Sequence, residues 1–153
     1  MSRSQNRVAI LHGVNFDVLE RRDPELYGGV SLSELEHRIT GWAAELELEA
    51  SFFQTNSEAE FCGYLHRLSV GADGALINAG AWTHYSRAIS DAFAVDPVPA
   101  IEVHLSDVEN REDWRRVSVF DGLVADKVSG KGIDGYREAL ELMTKHLGIN
   151  GEK

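Results

Sequence analysis

Short apolar runs alternate with amphipathic stretches along almost all of this 153-residue chain, and that alternation narrows the possible folds more than any other feature. Arg7–His12 (RVAILH) is an apolar run ended by Gly13, as expected of a strand buried on both faces. Ser31-Leu32-Ser33-Glu34 then forms a capping box, and Leu32, Leu35, Ile39, Ala43 and Leu46 share one helical face to about Glu47. Residues 48–54 read as a second strand. Asn56 or Ser57 can cap a helix striped by Phe61, Leu65 and Leu68. Gly74–Asn78 is a third strand, followed by the small-residue turn Ala79-Gly80-Ala81 and a short helix over 85–93. Pro97 and Pro99 lead into a fourth strand, Ala100–His104, and a helical turn is expected over 111–116. Residues 122–125 read as a brief fifth strand, and a helix over 133–147 closes the chain, with Gly148 as its cap. Between Val14 and Gly29 no period is visible, and the spacing predicts an irregular loop of about 16 residues, long enough to be functional.

This order predicts an α/β fold: a flavodoxin-like, doubly wound, five-stranded parallel sheet with helices on both faces. One domain is expected over 1–153, with a core from about residue 7 to residue 147. The 25 Asp and Glu outnumber the 15 Lys and Arg, and a net charge of −10 repels nucleic-acid backbones and anionic membranes. The single cysteine, Cys62, removes any intrachain disulfide framework and reads as a buried apolar residue. No apolar run is long enough to span a bilayer, and the polar start carries no signal-peptide core, so a cytoplasmic protein is expected.

In open parallel sheets, ligands gather beyond the carboxyl ends of the strands, and that rule selects the polar residues of interest. The first strand is followed by Asn15, Asp17, Arg21, Arg22, Asp23 and Tyr27, and the third by Asn78, Thr83 and His84. The fourth carries Glu102 and His104, then Leu105 and Ser106, with Arg111, Arg115 and Arg116 beyond. His84, His104 and Glu102 contain the ligand types of a zinc site, but no further spaced cluster accompanies them, and no metal is expected. The segment after the first strand carries neither GxGxxG nor GxxxxGK[ST], and Gly130, Gly132 and Gly135, late in the chain before the last helix, read as turn residues. An arginine-rich rim suits a small carboxylate or phosphate, because guanidinium offers a planar fork to such anions. An adjacent guanidinium also favours the phenolate of a tyrosine, so Arg22 and Tyr27 could form a general base. Equally, Tyr27 could pack the loop while Arg22 pairs with Asp23 or Glu25.

Taken together, the segments resemble the type II 3-dehydroquinate dehydratase family, over residues 7–147. The resemblance rests on three blocks in order. His12-Gly13-Val14-Asn15 runs on to Arg21-Arg22-Asp23-Pro24-Glu25-Leu26-Tyr27-Gly28. The second is Asn78-Ala79-Gly80-Ala81-Trp82-Thr83-His84-Tyr85-Ser86. The third joins Ile101-Glu102-Val103-His104-Leu105-Ser106 to Arg111-Glu112-Asp113-Trp114-Arg115-Arg116-Val117-Ser118. The resemblance implies that Tyr27 is the base, Arg22 holds it as phenolate, and Asn15 positions the water that steadies an enolate. It implies that His104 is the general acid, oriented by Glu102. Asn78, His84, Arg115 and the amides of Leu105 and Ser106 bind the small anionic substrate, and Asp91 reaches toward a neighbouring subunit's arginine. Trans-elimination of water from 3-dehydroquinate is then expected, in the shikimate or quinate pathway. No cofactor is expected, and the assembly implied is a homo-oligomer, a dodecamer built of trimers.

Several positions depart from the family pattern: His12 for Asn, Val14 for Pro, Glu20 for Gly, Asp107 for Asn and Glu109 for His. With Tyr85, these changes leave two alternatives open, a related dehydratase acting on a modified cyclohexanone carboxylate and a non-catalytic binding protein on the same fold.

Overall fold

A computed structural model describes residues 5–149 of the protein. The strands β1 (Arg7–His12), β2 (Glu49–Gln54), β3 (Gly74–Asn78), β4 (Ala100–His104) and β5 (Asp126–Ser129) form one parallel sheet in the order β2-β1-β3-β4-β5. That is the flavodoxin-like order, with the switch point between β1 and β3. The helices are α1 (Pro24–Tyr27), α2 (Leu32–Glu45), α3 (Glu58–Leu65), α4 (Leu68–Gly71), α5 (Arg87–Phe93) and α6 (Asp134–Leu147).

The twofold period of the strands divides the core. Val8, Ile10, Leu76, Ile101 and Val103 face α2 and α6, where they meet Leu35, Ile39, Tyr136, Leu140 and Met143. Ala9, Leu11, Ala75, Ile77 and Ala100 face the other way, onto Phe61, Leu65, Leu68, Ile89 and Phe93 of α3, α4 and α5. Cys62, expected to be buried, is only partly so; it packs at the border of this second layer, and burial pushes its thiol pKa up.

Several expectations need correction. The fifth strand lies at Asp126–Ser129, not at 122–125, which forms a turn leading into it. The supposed loop over 14–29 holds a 3-10 segment, Phe16–Arg21, and the one-turn helix α1. The small-residue turn after β3 runs into a 3-10 segment, Gly80–His84. Leu68 does not continue α3: Arg67 leaves helical geometry, and α4 starts afresh. Ser57, not Asn56, caps α3, accepting from the Glu60 amide at 3.1 Å. At α2, Ser31 Oγ accepts from the Glu34 amide at 3.1 Å, but the Glu34 carboxylate meets the Ser31 hydroxyl rather than its amide.

β1 and β3 approach closely where the chain leaves the sheet. The Gly13 amide donates to Asn78 O at 2.8 Å, and a Cβ at Gly13 falls 2.3 Å from the Ala79 carbonyl oxygen. Gly80, at φ 63°, completes this crossing beneath Val14. Gly13→Ala is therefore expected to destabilise the protein by about 1–3 kcal/mol. Gly41→Ala, on the exposed side of α2 with nothing within 4 Å, should stabilise it by about 0.5–1 kcal/mol. Urea unfolding midpoints of the two variants check both signs.

Candidate active site

The strand ends place four segments around one cleft, with a space of about 370 Å³ when its open mouth is included. The segment after β1 forms its lid side. Asn15 turns the chain with φ 74°, its amide donating to Asn56 Oδ1 at 2.8 Å. Asp23 caps α1 by accepting from the Glu25 amide at 3.0 Å, Pro24 takes the first helical position, and Gly28 ends the turn at φ 88°. This single turn carries Tyr27 back over Arg22. The Arg22 guanidinium lies 3.9 Å from the Tyr27 ring centre, and its Nη2 donates to Tyr27 Oη at 3.0 Å.

A second guanidinium meets the same oxygen. Arg111 Nη1 donates to Tyr27 Oη at 2.9 Å and to Ser106 Oγ at 3.0 Å. Opposite charges beside an oxygen stabilise its ionised form, so negative charge developing on Tyr27 Oη is met from two sides.

On β4, Glu102 and His104 are two residues apart and project to the same face. Glu102 Oε2 lies 2.5 Å from His104 Nε2, and Oε1 accepts from Ser118 Oγ at 2.8 Å. Burial alone pushes the Glu102 carboxyl up; the His104 hydrogen bond and charge, helped by Ser118 and Lys127, outweigh it and hold the pKa below its ordinary value. The His84 and His104 rings stack with centres 5.9 Å apart. His84 Nδ1 lies 2.7 Å from the Val117 carbonyl oxygen, which can only accept, so Nδ1 carries the proton. Burial chiefly lowers the His84 pKa, with the nearby His104 and Arg115 charges adding and the Val117 bond opposing. His84 is thus held neutral, leaving Nε2 as an acceptor. Asn78 donates to Tyr136 Oη at 3.4 Å and accepts from the Gly80 amide at 3.1 Å; burial pushes the Tyr136 phenol far up, so it stays protonated.

Arg22, Tyr27, Asn78, His84, His104, Leu105, Ser106 and Arg115 all line the cleft, and Glu102 stands directly behind His104. Asn15 and Asp91 are exposed and stand outside the lining. Phe16 and Val108 line it although sequence reasoning did not select them, and so does Arg111, named beyond β4 but given no role by the resemblance. Arg111 belonged to an arginine-rich segment, but nothing in its spacing marks which arginine turns inward. Arg22 makes its contacts with Tyr27 rather than an ion pair with Asp23 or Glu25. Among the described residues, no group of three or more His, Cys, Asp and Glu is arranged to hold a metal ion. Among them also, no helix is long and apolar enough to cross a membrane.

His84 gives these contacts a pH signature. Its folded pKa lies below the ordinary 6.5, so as pH falls through that value the unfolded chain takes up a proton that the folded site resists, and stability falls. Glu102 acts in a separate window: its contribution is complete above the ordinary 4.5 and is lost as pH falls through the lower folded value. Urea unfolding at about pH 7 and about pH 5.5 should show a loss of stability that His84→Asn diminishes.

The sequence model described as dehydroquinase class II matches residues 6–144. A 3-dehydroquinate dehydratase of Syntrophotalea carbinolica is 44% identical over 144 residues, covering 94% of this chain and 91% of the relative. One from Pelobacter propionicus is 42% identical over 147 residues, covering 95% and 99%. The crystal structure of type II dehydroquinase from Propionibacterium acnes superposes with a TM-score of 0.87 at 34% identity, covering 94% of this chain and 99% of that one. The match runs through every segment that builds the cleft, and the chain belongs to the class II dehydroquinase family.

Proposed function

We propose that this protein dehydrates 3-dehydroquinate to 3-dehydroshikimate, a step of the shikimate pathway, by trans-elimination through an enolate. The observation that carries this reading is the placement of Tyr27 Oη between two guanidiniums, at 3.0 and 2.9 Å, in the same cleft as a Glu102-backed imidazole. Tyr27, as phenolate, removes the proton on the carbon next to the ketone, and Arg22 and Arg111 stabilise the oxygen before transfer. The electron pair moves onto the ketone oxygen as an enolate. Its collapse expels the hydroxyl on the adjacent carbon, which takes a proton from His104 and leaves as water. Glu102 orients that imidazole and supports its charged form. Arg115 and the amides of Leu105 and Ser106 bind the substrate carboxylate, while Asn78 and the acceptor Nε2 of His84 bind its hydroxyls. Asn15, at the root of the lid segment, positions water at the enolate once substrate closes the loop.

The departures from the family pattern bear on the alternatives. His12, Val14, Tyr85 and Glu109 all stand outside the cleft lining. His12 is buried beneath Phe16 and Phe52, Tyr85 is exposed, and Glu109 points outward while its carbonyl accepts from Arg116. These departures therefore leave the walls that meet substrate untouched, which favours dehydroquinate over a modified cyclohexanone carboxylate and favours turnover over simple binding.

Assembly into a homo-oligomer, a dodecamer built of trimers in the cytoplasm, belongs to the same proposal. Asp91 is exposed on α5 and outside its own cleft, where it is free to reach a neighbouring copy's Arg22. Light scattering should return a dodecameric mass, and Asp91→Ala should lower kcat without emptying the site; a monomer with full activity sinks this part of the reading. Tyr27→Phe should lower kcat by about 10³-fold with KM little changed, followed by enone absorbance as dehydroquinate is consumed. Turnover equal to wild type excludes Tyr27 as the base.

A further inference from the structure

One short stretch touches both imidazoles of the cleft. After the 3-10 segment Asp113–Arg116, the Val117 carbonyl accepts from His84 Nδ1 at 2.7 Å, and Ser118 Oγ donates to Glu102 Oε1 at 2.8 Å. Ser118 Oγ also accepts from the Phe120 amide at 3.1 Å, which fixes the direction of the hydroxyl. The Val119 amide donates to the Thr83 carbonyl at 2.7 Å and clamps the stretch beside His84. Ser118, Glu102 and His104 are all buried. The two carboxylate oxygens of Glu102 are thereby divided, one on Ser118 and one on His104 Nε2.

We propose that the dipeptide Val117-Ser118 is a positioning strap for the dehydration site: Ser118 holds Glu102 so that its other oxygen orients His104, while Val117 sets the tautomer of His84. Two stacked imidazoles in one cleft thus receive opposite roles, an acceptor and an acid, from adjacent residues on a loop. Ser118 touches no substrate and acts only through Glu102. Without the hydroxyl, a buried carboxylate oxygen loses its partner and the carboxylate is free to turn away from His104. The groups facing Glu102 are His104 on its own strand, Lys127 paired across on β5, and His84 from the 3-10 segment Gly80–His84, with Arg115 beside His84. The Ser118 hydroxyl is among the contacts that keep Glu102 ionised, so its removal moves protonation of that carboxyl toward higher pH.

The strap rests on the dehydratase reading, and the test separates the two. In the full chain with 3-dehydroquinate as substrate, Ser118→Ala is expected to lower kcat about tenfold with KM within about twofold of wild type. The acid limb of its pH profile moves to higher pH, and Ser118→Thr, which keeps a donor, returns the limb toward wild type. In the resting enzyme, the downfield proton resonance of the His104–Glu102 hydrogen bond is present in wild type and lost in Ser118→Ala. A folded Ser118→Ala with unchanged kcat, acid limb and resonance overturns the strap, as does a threonine variant that behaves like alanine. If the alanine variant does not fold, Ser118→Cys, a weaker donor, is read by the same measures. A wild type that carries the resonance but does not dehydrate the substrate, with Ser118→Ala losing the resonance, leaves the strap standing and removes the reaction.

Discussion

A sheet covered on both faces has no place for charge except beyond the ends of its strands, and the site of this protein follows from that constraint. β1, β3 and β4 are buried almost throughout. Their polar side chains therefore collect at the carboxyl edge, where the backbone turns away and helices no longer cover the sheet. Glu102 is the exception. It sits within β4 at 1% exposure, and an unpaired carboxylate there is strongly disfavoured. Pairing with His104 and Ser118 resolves that cost, and the same pairing orients the imidazole proposed for proton transfer. A requirement of packing and a requirement of chemistry are met by one set of contacts.

The proposed anion site sits in a chain of net charge −10. The two are compatible because screening restricts exposed surface charges to short range, while Arg22, Arg111 and Arg115 act inside a partly enclosed cleft. Arg115 is further held by Glu112 at 3.1 Å and stacks 4.2 Å over Trp114, so its guanidinium is oriented before any ligand arrives. Arg22 is oriented by the capped turn of α1, whose proline and left-handed glycine define both ends of a very short helix.

The strands and long helices were legible because their signals are local. The apolar period of α2 and the run of β1 arise from residues within a few positions of one another. β5 was misplaced by four residues for the opposite reason: at this edge strand only Val128 is buried, while the apolar stretch just before it forms a turn. Its position comes from pairing with β4, Ile101 to Asp126 and His104 to Ser129. The segment over 14–29 hid its helical turns because each is too short to show a period, and one of them is distorted at Val18.

Sequence by itself determined the alternating architecture, the strand ends that carry polar groups, and the family to which those motifs point. Tertiary structure alone decided which of several similar residues meet in the cleft. Arg111 reaches Tyr27 across 84 positions, and Ser118 reaches Glu102 across 16. Asn15 and Asp91, named by their motifs, stay outside the cleft of their own chain. The physical reason is one of range. Hydrophobic periodicity is written along neighbouring residues, whereas the direction of a guanidinium or hydroxyl depends on what the folded chain brings within about 3 Å.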